Sequence, residues 1–181
     1  MKKEPLKLAE ATINKDHFVG YIIRLASAAE SRLDILLGYY FSPDEEFEEF
    51  YLNIASRLTF SAKIQILSKL KLHKRIKSQE NLVGLLSALS FLRNKVAHDY
   101  FITGAQLAKV ADNHVAMKFV LADAKQRGRL KTQIESCFHH IWNGVEKKRQ
   151  ARRQDSPNKG FNRTPESSAA AKPGKPSGGA G

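Results

Sequence analysis

The chain is 181 residues long, 42% hydrophobic and 27% charged, with a net charge of +12. That length holds one domain with a real core, and no run approaches the roughly 20 apolar residues that a membrane span needs. Cys137 is the only cysteine, which excludes an internal disulfide; no Cys/His cluster has zinc spacing, and a reducing cytoplasm fits.

The N-terminus, Met1-Lys2-Lys3-Glu4-Pro5, is charged and leads into no continuous apolar segment, so it does not read as a signal peptide. Residues 14–41 read as a long helix, because Ile22, Leu25, Ala26, Ala29, Leu33, Leu36, Leu37 and Tyr40 fall on one stripe at helical spacing. Ser42-Pro43 stops it and starts the next helix, with Pro43 at the first position and Glu45 three residues after the cap. The apolar face of that second helix is Phe47, Phe50, Tyr51 and Ile54. Its DEEFEE run places consecutive carboxylates in different directions, which suits a solvated helix start rather than a metal site.

A third helix is predicted over 59–72, with Ile64, Ile66, Leu67 and Leu70 apolar. A fourth covers about 78–98, with a core-facing stripe of Val83, Leu86, Leu89, Leu92 and Val96. Between Gly104 and Gly128 the pattern changes. Val115, Met117, Phe119 and Leu121 alternate with Ala116, Lys118 and Val120, a strand period that suggests a β-hairpin insertion near 106–121. A helix through Gln106–Val110 is the competing reading. A final helix over 130–149 carries Ile134, Phe138, Ile141, Trp142 and Val145. The fold class is therefore all-α, a helical domain over 1–150 with that hairpin as an insertion.

Residues 151–181 are rich in Pro, Gly, Ser, Ala and Lys and hold one aromatic. They cannot bury enough surface to offset the entropy of ordering and read as a disordered basic tail. Residues 147–181 carry nine Lys or Arg and two acids, more than half of the chain's excess charge. Such a charge favours phosphate backbones; simple solubility is the alternative.

The stretch that bears chemistry is Arg93-Asn94-Lys95-Val96-Ala97-His98-Asp99-Tyr100. It puts a guanidinium, an amide and an imidazole where a leucine-rich helix should surface. Residues five apart on a helix differ by about 140° in direction and about 7.5 Å in height. Arg93 and His98 therefore do not share a face, whereas Asn94 and His98 do. Two copies of the helix across a two-fold axis would bring Arg93 and both His98 rings to one cleft, so a homodimer is expected.

The segment FLRNKVAHDYF resembles the signature of the HEPN superfamily, an Arg followed by four to six residues and a His, with Asn directly after the Arg. The extension to Tyr100 is similar to the Arg-x4-His-x-Tyr pattern of HepT-type toxins. Glu30-Ser31-Arg32-Leu33-Asp34 in the first long helix and the LTFSAKIQIL segment also resemble mannitol-operon-repressor bundles. The HEPN resemblance implies a helical bundle acting as a dimeric, metal-independent endoribonuclease in the cytoplasm, with no cofactor, no metal and no membrane partner. Arg93, His98 and Asn94 would be its catalytic residues. His98 would take the 2′-hydroxyl proton of RNA or protonate the leaving oxygen, as imidazoles do near neutral pH. Arg93 would neutralise charge on the phosphoryl oxygens. Asn94 would orient His98 or bind phosphate. The HepT resemblance further implies a toxin–antitoxin or phage-defence setting, in which a nucleotidyltransferase antitoxin modifies Tyr100.

Each residue also has a structural reading. Arg93 pairs with a carboxylate such as Glu30 or Asp34 inside the bundle; His98 and Asn94 finish a helix; Tyr100 is core or interface. On that view the chain is a non-catalytic interaction or regulatory module, or a nucleic-acid binder driven by its tail. His17, His73, His114, His139 and His140 have no site-like neighbours, and Glu30 and Asp34, on one helical face, read as ion-pair partners.

Overall fold

The computed structural model describes residues 3–42, 46–72, 77–98, 102 and 104–154. Among these residues there are eight α-helices and no strand: α1 Lys3–Ile13, α2 Asp16–Phe41, α3 Phe47–Asn53, α4 Phe60–Lys69, α5 Lys77–His98, α6 Gly104–Asp112, α7 His114–Leu121 and α8 Ala124–Gln154. A single 3-10 turn, Ala55–Arg57, joins α3 to α4. Helix α5 is the central element and packs against α2, α4, α7 and α8.

The two long core helices follow directly from their stripes. Helix α2 buries Ile22, Leu25, Ala26, Ala29, Leu33, Leu36 and Leu37, and α5 buries Leu82, Leu85, Leu86, Leu89 and Leu92. Each fully buried leucine contributes on the order of 1.5–3 kcal/mol relative to exposure. Helix α4 starts where Thr59 caps it, its hydroxyl accepting the Ala62 N–H at 3.2 Å. Cys137 is part of this core, and burial pushes its thiol up from the ordinary value.

The expected hairpin near 106–121 is replaced by helices α6 and α7. Leu107 and Val110 are buried from α6, and Ala116, Met117, Phe119 and Val120 from α7. The pattern 116, 117, 119, 120 is the wide buried face of a short helix. Asn113 is its N-cap: Oδ1 accepts the Ala116 N–H at 2.9 Å. A run this apolar carries no usable period, and cap chemistry settles the local conformation.

Other elements also differ from expectation. Helix α1 lies where no helix was predicted; it packs on α6 and α7 and buries Ala9 and Ile13. Ser42 closes α2 rather than opening α3, because its N–H and its hydroxyl both donate to the Gly38 carbonyl, at 2.9 and 2.6 Å. Helix α3 begins at Phe47, and residues 43–45 lie outside the described set. Phe47 packs so close to Gly38 that a Cβ there would sit 2.7 Å from its ring, which requires glycine. Helix α8 begins at Ala124 rather than at 130 and runs to Gln154 rather than to 149, so 151–154 of the expected tail are helical; the rest of it, 155–181, lies outside the described residues.

The far end of α8 is strapped to α2. Trp142 stacks on Tyr39 at 4.6 Å, and the Arg149 guanidinium lies 3.9 Å over the other partner of that stack, Tyr39. Lys148 donates to the Tyr40 hydroxyl and, at 2.7 Å, to the Lys71 carbonyl. No helix among the described residues is long and apolar enough to cross a membrane.

Candidate functional site

Arg93 comes one turn after Leu89 and so inherits the core-facing side of α5 at the point where the helix leaves the core. It is half-buried, and its Nη1 donates to Glu30 Oε2 of α2 at 2.6 Å. The other oxygen of that carboxylate, Oε1, accepts from Lys63 Nζ of α4 at 3.1 Å. Lys63 in turn donates to Asp34 Oδ2 at 3.0 Å. Asp34 Oδ1 is 2.7 Å from the same nitrogen, in an orientation that makes no hydrogen bond.

Three helices therefore meet through an electrically neutral chain, Arg93–Glu30–Lys63–Asp34. Exposure falls steeply along it. The side chains of Arg93 and Glu30 are 35% and 20% exposed, whereas Asp34 and Lys63 are 9% and 3% exposed. An ammonium taken so far from water loses several kcal/mol of hydration, and only close opposite charges offset that. Lys63 has two carboxylates within reach. Burial pushes the Asp34 carboxyl above its ordinary value; Lys63 opposes that shift and Glu30 adds to it.

Asn94 and His98 are exposed on the next face of α5, four residues apart as expected. No hydrogen bond or ion pair among the described residues joins either of them to Arg93. The single chain thus brings Arg93 to Glu30 and leaves Asn94 and His98 open to solvent, as the angular divergence predicts. The chain beyond the motif is anchored at Ile102, whose N–H donates to Asn14 Oδ1 at 3.0 Å between α1 and α2. Tyr100 lies outside the described residues.

The arrangement has an always-charged donor on the rim, held by a carboxylate, and an exposed amide and imidazole on the next face of the same helix. The guanidinium uses Nη1 for Glu30 and carries four further N–H donors. Lys63 is the member that sequence reasoning missed. Its signal is position: it sits with Phe60, Ile64 and Leu67 on the buried stripe of α4, where a lysine needs buried partners. Among the described residues no three His, Cys, Asp or Glu side chains gather as a metal would require.

Comparison of the chain with protein-family models, with curated proteins and with solved structures finds no match to any of them.

Proposed function

We propose that the chain is a metal-independent endoribonuclease of HEPN type that acts as a cytoplasmic homodimer. The observation that carries the reading is the end of α5: Arg93 is held on the rim by Glu30, while Asn94 and His98 stay exposed beside it. RNA brings its own nucleophile, the 2′-hydroxyl. His98 exchanges the proton of that hydroxyl or of the leaving oxygen. Arg93 presents its remaining N–H donors to the phosphoryl oxygens as charge builds there. Glu30 and Lys63 fix the guanidinium in place, so little reorganisation is needed during reaction. Pairing two α5 ends supplies the cleft that one copy lacks. The setting that goes with this chemistry is a toxin–antitoxin or phage-defence system, with Tyr100 as the position at which a nucleotidyltransferase antitoxin acts.

A specific observation favours a second reading. The four-residue ion network is neutral without any substrate, so Arg93 has a complete structural role. A non-catalytic regulatory module of mannitol-operon-repressor type would use it in that way. The test is incubation of the purified protein with RNA in EDTA. Fragments ending in 2′,3′-cyclic phosphate support the nuclease; intact RNA with a folded, dimeric protein supports the regulatory module.

A further inference from the structure

A second feature lies on the other side of the bundle. Between the first turns of α5 and the outer face of α8 runs an open groove of about 720 Å³. Roughly 25 Å of helix rise separates Asn81, at its edge, from His98. The groove is therefore at the opposite end of α5 from the motif.

We propose that this groove binds the phosphate backbone of RNA. Its floor is one stripe of α8, Lys125, Arg129, Thr132, Ser136 and His140, spaced three and four apart so that all five share a face. The chain has 18 acidic residues, yet none is among the described residues that line this groove. Glu135, the acid nearest in sequence to Ser136, turns aside and accepts from Arg32 at 3.2 Å. Asp123 is likewise occupied, capping α8 through the Gln126 N–H at 2.7 Å.

Some cations of α8 are held by the protein, whereas Lys125, Arg129, Lys131 and Lys147 are exposed, and of these only Lys125 and Arg129 line the groove. Arg127 packs inward over Phe18 and Tyr21 and donates to the Ala122 carbonyl at 3.0 Å. Lys148, through the Tyr40 hydroxyl, and Arg149, through the Tyr39 carbonyl, hold α8 to α2. Lys125 and Arg129 do neither; both are exposed and make no ion pair with any described residue. Two cations facing a shared groove with no counter-charge among its described lining residues raise the local potential and favour an anion there. Gly128 lies between them, and a Cβ added there would meet nothing within 4 Å. A bare backbone at this point lets a strand approach closely.

RNA is favoured over DNA or an acidic peptide by the rest of the lining. Asn81 and Ser136 can accept hydrogen bonds as well as donate them, and Thr132, whose hydroxyl donates to the Gly128 carbonyl at 3.1 Å, can still accept. Phosphate and carboxylate oxygens only accept, and the deoxyribose of a DNA backbone adds no hydroxyl to match that capacity. A ribose 2′-hydroxyl uses both. The groove and the motif are independent: the first binds RNA whether or not the second cleaves it.

The test is fluorescence anisotropy with a labelled single-stranded RNA, in EDTA, in a His98→Ala background so that the probe survives. Lys125→Ala/Arg129→Ala should weaken binding several-fold and reduce the slope of log K against log salt by about 1.4, two phosphate contacts at roughly 0.7 each. The exposed pair Lys7→Ala/Arg57→Ala, outside the groove, should leave both unchanged. Thermal melts check the fold, and Arg129→Gln replaces the double variant if that one does not fold. Unchanged affinity in the groove variant overturns the proposal, as does an equal loss in the control pair. Equal affinity for DNA of the same sequence, or tighter binding of polyglutamate, overturns the assignment to RNA. Cleavage by the protein with His98 in place is scored separately, so either inference can fail alone.

Discussion

Arg93 and Glu30, 63 positions apart in the sequence, meet at 2.6 Å, and the same carboxylate reaches the buried Lys63. The motif helix is thus fastened to α2 and α4 through charge as well as through leucines. Removing the buried cation leaves Asp34 with no opposite charge among its contacts. Lys63→Met, which keeps the length and apolar stem, is expected to lower stability by about 3 kcal/mol. Urea unfolding followed by helical circular dichroism measures this. A loss below about 1 kcal/mol would place Lys63 in the range of a surface ion pair instead.

The Asp34 carboxyl titrates above its ordinary value of 3.8, chiefly because it is buried. Between that value and the raised one, the folded protein holds a proton that the unfolded chain has released. Stability from this group therefore falls as pH rises through the window. Asp34→Asn has no such proton. The stability of the unsubstituted protein relative to Asp34→Asn should decrease from about pH 4 upward and then level off. A difference that grows with pH would mean that Lys63 outweighs burial and holds the carboxyl below its ordinary value.

Asn113 caps α7, so Asn113→Ala should cost about 1 kcal/mol, and Asn113→Asp should restore most of it. Thermal melts of the three proteins check the order. In a β-hairpin the same residue would sit in the turn, and glycine would be the favoured replacement. A variant Asn113→Gly more stable than the parent would contradict the helical assignment of 114–121.

The long elements were legible because their stripes run for several turns. Leu25, Ala29, Leu33 and Leu36 repeat as only a helix does, and so do Leu82, Leu86 and Leu89. Residues 115–121 misled because six of seven are apolar, which erases the period; Asn113 before them was the readable cap. Helix α1 escaped notice because Leu6, Ala9 and Ile13 make a thin stripe among charges. In the site, Asn94 and His98 on one face and Arg93 off it followed from helix geometry alone. The choice of Glu30 over Asp34 as the partner of Arg93 did not. It depends on how α2, α4 and α5 pack, and Lys63 takes Asp34 first.

The single chain leaves Asn94 and His98 open and turns Arg93 toward Glu30. If the cleft forms from two α5 ends, the protein should sediment as a dimer at micromolar concentration. Asn94→Arg, which sets like charges across the two-fold axis, should shift it toward the monomer with its melt otherwise retained. A monomer in the unsubstituted protein removes the shared cleft from the account.

The most direct measurement is RNA cleavage in EDTA by the unsubstituted protein, by His98→Ala and by Arg93→Lys, with thermal melts of all three. The account predicts cleavage by the first and none detectable from folded His98→Ala. It predicts a loss on the order of 100-fold in Arg93→Lys, because an ammonium cannot reproduce the guanidinium fork at a phosphate. Cleavage by folded His98→Ala at the unsubstituted rate would contradict it.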